Sequence, residues 1–251
     1  MLMRIPRFYF PDTLTLHEQV NLPKDAAHHA LRVLRMVKGD ALTLFNGDGR
    51  SYCATLLRIE KQNITVLVEQ RAEASRESPL SVTLVQGISS GERMDFTLQK
   101  SVELGVAAIQ PIQAERSVVK LTAERKEKRL RHWQNIVIAA CEQCGRNVMP
   151  EVYPAMALTD WLAAQGSAAA QPAGSLRILL APQAEHRLQD LAKPTGSVLL
   201  AIGPEGGFSE HELRALQQCG FTSVRLGPRV LRTETAALAA LSALQICWGD
   251  F

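Results

Sequence analysis

From residue 81 onward, short apolar runs alternate with stretches of helical spacing. The runs fall at 81–85, 107–112, 177–181, 198–202 and 222–226. Such alternation predicts a parallel sheet with helices on both faces. Before residue 72 the pattern is different. "ALTLFNGDGRSYCATLLRI" reads as a strand, a turn at Asn46 to Gly49 and a second strand, and "NITVLVEQ" follows a turn at Lys61 to Asn63. Short strands joined by tight turns predict a small β-barrel. One helix interrupts it, "DAAHHALRVLRM", with Asp25 as its expected cap. Helical spacing puts His28, Arg32 and Arg35 on one face and Ala27, Leu31 and Leu34 on the other. The polar "EASRESPL" (73–80) reads as a linker, which sets domains of 1–72 and 73–251, and the Ala/Gly/Pro-rich 163–175 reads as a flexible surface loop.

Three of the apolar runs end alike. "LLAIGPEGGFSEHEL" (199–213) passes from a strand through a Gly-Pro loop into a helix; "LGPRVLRTETAALAALSAL" (226–244) repeats the pattern, and "RILLAP" (177–182) ends on Ala-Pro. Thr233 or Thr235 is the expected cap of the last helix. Loops at the carboxyl ends of neighbouring parallel strands form the crevice in which α/β proteins bind ligands. The spacing argues against a nucleotide phosphate as the ligand. A Walker loop needs a lysine and a hydroxyl residue after its last glycine, whereas Gly207 is followed by Phe208 and Ser209. Gly203, Gly206 and Gly207 miss the dinucleotide spacing, and Glu205 would put a negative charge against a pyrophosphate. A neutral or cationic ligand fits better.

Composition narrows the class further. A chain of 251 residues with 46% hydrophobic and 21% charged residues is ordinary for a globular protein. No window approaches a membrane span, and "MLMRIPRFYF" lacks the apolar core of a signal peptide, so a cytoplasmic protein is expected. Five cysteines argue against a disulfide framework. Cys141 and Cys144 have C-x-x-C spacing, but no second pair completes a metal site and both end an apolar helical run, so they read as helix cysteines and no metal is expected. The net charge of +3 is concentrated in "ERSVVKLTAERKEKRLR" (115–131), where seven Lys or Arg face three Glu. Such a run is a solvated helix face or a nucleic-acid contact.

"IGPEGG" followed by "LGPRVLRTETA" closely resembles the SPOUT superfamily of RNA methyltransferases, and within it the family that methylates N3 of a uridine in bacterial 16S ribosomal RNA. Further marks of the resemblance are "MRIPRFY" (3–9), "HHALRVLRM" (28–36), "GERMDFTLQKSVELGV" (91–106) and "AACEQCGR" (139–146). It implies a C-terminal α/β trefoil-knot domain, an N-terminal barrel similar to the PUA domain, S-adenosyl-L-methionine as cofactor, a homodimer, and 16S rRNA of the small ribosomal subunit as substrate. Matching cofactor positions are Leu180, Gly203, Glu205, Gly206, Leu226, Gly227 and Leu231. Glu205 would face ribose hydroxyls or the sulfonium charge, or else serve as a cap or ion-pair partner.

Methyl transfer to N3 requires loss of its proton and stabilisation of charge on O2 and O4. A guanidinium suits those oxygens, which selects Arg232 first and Arg146 second, with an ion-pair role as the alternative for either. No histidine sits in "IGPEGG", "LGPRVLRTETA" or "AACEQCGR", so the base stays open among Glu234, Glu142 and water. Arg4, Arg7, Arg32 and Arg35 lie in barrel segments that match the family and lack an acidic residue at i+4, which makes them the expected phosphate contacts. The competing readings are a non-catalytic RNA-binding factor and a nucleotide-dependent enzyme with an unusual phosphate loop.

Overall fold

The computed structural model describes residues 5–73, 75–119, 122–166 and 172–251. Arg4 and Lys120 lie outside the described residues, as does most of the loop expected at 163–175. Residues 163–165 of that expectation are helical, not loop. Contacts divide the chain into two compact units. The first is Met1–Glu77 together with Cys141–Met149, and the second is Ser78–Ala140 with Pro150–Phe251.

The first unit is built on five strands: β1 (Arg7–Tyr9), β2 (Gln19–Asn21), β3 (Ala41–Phe45), β4 (Ser51–Glu60) and β5 (Asn63–Ala72). They order as β1-β3-β4-β5-β2. β4 and β5 turn at Lys61, whose φ of 57° is left-handed, and alternate residues Ala54, Leu56, Ile64, Val66 and Val68 enter the core. The helical segment departs from its expectation. Helix α1 is short (Lys24–His28), its cap position is Pro23, and Asp25 lies in the first turn without capping it. A π-helical turn, His29–Val33, follows. The wider turn shifts the buried face to Ala27 and Ala30, leaving Val33 and Leu34 exposed, and Arg35 leaves the helix with a φ of 54°.

Residues 141–149 join this unit through polar contacts that sequence spacing cannot show. Arg146 gives Nε and a second nitrogen to Glu77 at 2.8 and 2.6 Å, and its side chain is only 6% exposed. The other Glu77 oxygen accepts from the Asn147 and Val148 amides, at 3.2 Å each. Arg7 donates to the Arg146 carbonyl and to Asn147 Oδ1, and stacks 5.0 Å from the Phe45 ring. The Tyr9 amide donates to Glu142 at 3.0 Å. Burial pushes the Glu142 carboxyl upward despite that bond, and pushes the Cys141 thiol up to about 12.

In the second unit the parallel core comprises β6 (Val82–Gly87), β7 (Ala108–Gln113), β10 (Leu176–Leu180), β12 (Val198–Ile202) and β13 (Thr222–Arg225). Two-residue strands β8 (Glu151–Val152), β9 (Met156–Ala157) and β11 (His186–Arg187) extend it. The order is β11-β13-β10-β12-β6-β7-β8, with β9 beside β7 and every pair parallel. Helices cover the sheet, and its strands are rich in apolar residues on both faces, most fully in β12. On one face Val85, Ile112, Leu179 and Ala201 pack against α4 (Leu158–Gln165) and α5 (Glu210–Gln218). Leu84, Ile178 and Leu200 alternate with them and are equally buried.

Two further helices, α2 (Glu92–Glu103) and α6 (Thr233–Trp248), pack on each other. Gln245 of α6 is fully buried and bridges Ser78 Oγ at 2.7 Å to the Leu104 carbonyl at 2.9 Å. The long α3 (Ala123–Cys144) carries the basic run and ends in the segment assigned to the first unit. Consecutive strands β10 and β11 are not neighbours. β13 lies between them, and residues 181–185 link the strands on its two sides.

The Glu77 cluster generates a stability prediction. Glu77→Ala removes the carboxylate to which two Arg146 nitrogens donate, a loss of about 3–5 kcal/mol for a broken buried pair. Hydrogen exchange should show the Asn147 and Val148 amides losing protection. Unchanged protection at both amides would remove Glu77 as the anchor of this segment.

Candidate functional site

The strand order decides where the site lies. β12 and β13 flank β10, so the three exits that read alike in sequence emerge side by side at one sheet edge. Together they line a cavity of about 550 Å³. Leu180, Ala181 and Pro182 come from the first exit, and Gly203, Pro204, Glu205, Gly207 and Phe208 from the second. The third supplies Leu226, Gly227, Arg229, Val230, Leu231 and Arg232, with Thr233 and Glu234 at the start of α6. Six of the seven cofactor positions expected from sequence therefore line one cavity. The seventh, Gly206, packs against Arg116 instead: a Cβ there would meet the Arg116 Cβ at 2.8 Å and its carbonyl oxygen at 3.0 Å.

The loops are held by specific bonds. After the second exit, Ser209 caps α5 by accepting from the Glu212 amide at 3.2 Å, while Glu212 accepts from the Ser209 amide at 2.8 Å. This reciprocal box fixes where "GPEGGF" ends. Glu205 is tied on its other side. One of its oxygens accepts from the Ser90 amide and hydroxyl, both at 2.8 Å, and from Arg93 at 3.2 Å. Burial raises its carboxyl, but the bonds from Ser90 and Arg93 outweigh that and lower it below the usual carboxylate range. Glu205 thus makes an ion pair through one carboxylate oxygen while its residue also lines the cavity.

Thr233 does not cap α6. Arg232 holds the cap position without a side-chain bond, and Thr233 is the first helical residue. Its hydroxyl donates to the Gly203 carbonyl at 2.6 Å and accepts from Gln86 Nε2 at 2.8 Å. Gln86, fully buried at the end of β6, also donates to the Gly87 carbonyl at 3.0 Å. Thr235 is exposed one residue beyond Glu234.

The guanidinium of Arg232 is exposed and has no ion pair among the described residues. Arg146 and Glu142 lie in the first unit, bonded to Glu77 and to the Tyr9 amide as described. Arg7 is likewise engaged, with the Arg146 carbonyl, Asn147 and the Phe45 ring. Arg32 and Arg35 are exposed, without ion pairs among the described residues. No cluster suited to a metal ion occurs among the described residues.

Sequence reasoning missed the fourth wall of this region, the exit of β6. Gln86, Ser90 and Arg93 sit in "QGISSGER", a strand-loop-helix passage of the same kind as the other three but without proline. Gly87 shows why it matters. A Cβ at that position would stand 2.3 Å from the Pro204 nitrogen and 2.7 Å from the Gly203 carbonyl carbon.

The cavity fits S-adenosylmethionine by its chemistry. Its walls mix apolar side chains (Leu180, Ile202, Leu226, Leu231) with backbone from glycine-proline loops, and it holds no lysine. Backbone donors and acceptors read adenine edges and ribose, and apolar walls receive the ring.

The Gly87 contact is the basis of a test. Gly87→Ala must push β6 away from the Gly203–Pro204 backbone, since both colliding atoms are main chain. Cofactor affinity should fall at least tenfold by calorimetry, with thermal stability reduced by several degrees, about 2–4 °C per kcal/mol for a chain of this size. Wild-type affinity in Gly87→Ala would show that the close approach is incidental.

Comparison with known proteins matches this arrangement. Residues 76–245 match the model of an RNA methyltransferase domain and residues 22–69 that of an RNA methyltransferase PUA domain. Ribosomal RNA small subunit methyltransferase E of Buchnera aphidicola is 38% identical over 250 residues, covering 100% of this chain and 99% of that protein. The Bacillus subtilis protein of the same name is 32% identical over 88% of this chain and 87% of its own length. Among solved structures, the Neisseria gonorrhoeae methyltransferase E bound to S-adenosyl methionine superposes with a TM-score of 0.90 at 44% identity, covering 99% of this chain and 100% of that one. A Legionella pneumophila structure with bound SAM gives 0.92 at 42% identity, with the same coverage. With both domains matched in order, and relatives aligned over nearly its whole length, the chain belongs to the ribosomal RNA small subunit methyltransferase E family.

Proposed function

We propose that this chain methylates N3 of one uridine in 16S rRNA of the small ribosomal subunit, at conventional position 1498. The observation that carries the reading is the convergence of three loop exits on one lysine-free cavity, with the unpaired Arg232 at its edge. S-adenosylmethionine supplies, when bound, an electrophilic methyl carbon on a sulfonium. The protein's residues do the rest. Leu180, Gly203, Leu226, Gly227 and Leu231 hold the adenosyl part, and Glu205, already ionised and paired with Arg93, braces the loop beside it. Arg232 presents paired donors to the uracil oxygens, where negative charge develops. Mapping of 3-methyluridine in ribosomal RNA from cells lacking this protein tests the reading. The modification should vanish, and its persistence would end the proposal.

The first unit serves as the RNA-docking domain in this reading. Arg32 and Arg35 support it, being exposed next to exposed Val33, Leu34 and Val37. The basic face of α3, with Arg125, Lys126, Lys128 and Arg129, is a second candidate contact. A homodimer completes the proposal. α6 carries an exposed Ile246 and a nearly uncharged sequence, which suits a subunit interface better than water. A place of action in the cytoplasm follows from the substrate.

Two outcomes are expected from these assignments. Arg232→Ala should lower kcat by about 100-fold or more while cofactor affinity stays within a few-fold, because the guanidinium acts on charge present mainly in the transition state. Normal turnover would remove Arg232 from the mechanism, and loss of cofactor affinity alone would make it structural. Replacing Arg32 and Arg35 together should weaken binding to small subunits and flatten the salt dependence by a slope of about one to two, one phosphate for each arginine. An unchanged slope would pass the docking role to α3.

A further inference from the structure

The chain enters α6 as Arg232-Thr233-Glu234, and these three side chains are treated differently by the fold. The middle one is fixed. Thr233 is buried, and its hydroxyl is bonded on both sides, to the Gly203 carbonyl at 2.6 Å and to Gln86 Nε2 at 2.8 Å. Its neighbours both line the cavity, and neither has an ion-pair partner among the described residues. Glu234 Oε2 is buried without a hydrogen-bond partner. An unpartnered carboxylate oxygen is costly, and where it persists beside a cavity it signals a missing donor. An anchored residue thus holds a free guanidinium and a free carboxylate in fixed register at the cofactor cavity.

That pair matches one chemical edge. Uracil presents an acceptor, a donor and an acceptor in a row: O2, N3–H and O4. A guanidinium supplies donors to a carbonyl oxygen, and a carboxylate accepts from the adjacent N–H. Cytosine has no proton at N3 and a donor in place of O4, so it would meet a bare carboxylate with an acceptor and Arg232 with a donor. We infer that Glu234 is the group that recognises the N3–H of the target uridine and removes its proton, with Arg232 on the neighbouring oxygen. This rests on the function proposed above and names the base within it. The N3–H bond breaks toward a Glu234 oxygen, leaving its electron pair on N3. N3 then bonds the methyl carbon while the carbon–sulfur pair departs with sulfur, and Arg232 neutralises the charge shared onto the ring oxygen. Glu142, the other carboxylate considered from sequence, is bonded to the Tyr9 amide in the first unit.

Glu234→Gln is the variant of choice, because it keeps the shape and an acceptor oxygen but cannot take the proton. Methylation of small subunits at neutral pH should fall about 100-fold or more, the usual scale for a positioned base. S-adenosylmethionine affinity by calorimetry should stay within threefold. The decisive measurement is chemical rescue. Subunits from cells grown on 5-fluorouracil carry a uracil whose N3 is more acidic, so the variant should recover at least tenfold on them relative to wild type. Its rate on ordinary subunits should also climb with pH more steeply than that of the wild type. A variant with near-normal turnover overturns the inference. So does loss of cofactor affinity, or a defect that neither fluorouracil nor pH relieves, since each marks a structural role. If wild-type protein forms no 3-methyluridine, it is the proposed function that fails instead.

Discussion

The cavity depends on one buried hydroxyl. Thr233 Oγ has a single proton, and giving it to the Gly203 carbonyl leaves the lone pairs for Gln86 Nε2. Gln86 Nε2 donates in addition to the Gly87 carbonyl, which sets the orientation of the amide. Each bond therefore determines the next. The bonds join the ends of β6 and β12 to the start of α6, segments more than a hundred residues apart in the case of Gln86 and Thr233. Among buried groups no water competes for these sites, so the network has few ways to rearrange. Valine at 233 would fill the same space yet leave the Gln86 amide and the Gly203 carbonyl without this partner.

Around that bond, rigidity comes from backbone crowding and from a sheet covered on both faces. Gly87 lies too close to Gly203 and Pro204 to admit any side chain, so two neighbouring parallel strands leave the sheet almost in contact. Leu84, Ile178 and Leu200 fill one side of the strands while Val85, Leu179 and Ala201 fill the other. Loops leaving such strands start from positions that cannot drift. A ligand read chiefly by main-chain donors and acceptors requires that precision, because peptide groups cannot change rotamer to follow it.

The sheet was legible in the amino-acid pattern because burial on both faces gives five short stretches rich in apolar residues, wholly apolar at 198–202 and broken by Gln110, Thr222 and Arg225 elsewhere. So were the three exits, since proline and glycine mark the chain where it leaves a strand. What stayed hidden depended on partners distant in sequence. Thr233 has the residue type and place of a helix cap, yet a carbonyl thirty residues away takes its proton. The bonds from Ser90 and Arg93 to Glu205 were equally out of reach, since those residues lie more than a hundred positions away. Arg7 looked like a free cation because no acid stands at i+4, and Arg146 was open to either a catalytic or an ion-pair role; the Arg146 carbonyl and Asn147 engage the first and Glu77 the second. The π-turn at His29–Val33 defeated a 3.6-residue period in the same way, burying Ala30 beside a partly buried Leu31 and leaving Leu34 exposed.

The charges around the cavity follow from an electrostatic conflict. A sulfonium cofactor is favoured by carboxylates, whereas an RNA substrate is favoured by cations and repelled by carboxylates. Both preferences must be met within one cavity of about 550 Å³. The fold separates them by pairing. Glu205 keeps its charge, but Arg93 and the Ser90 donors screen it from anything beyond the loop. Arg225, Arg229 and Arg232 line the cavity with no such partner among the described residues, so the field reaching an approaching phosphate is positive. Glu234 is the exception, a carboxylate left unpaired among those arginines. An acid in that place weakens attraction for RNA, and a purely docking surface would have no use for it. Proton transfer from the target base is a use that requires it.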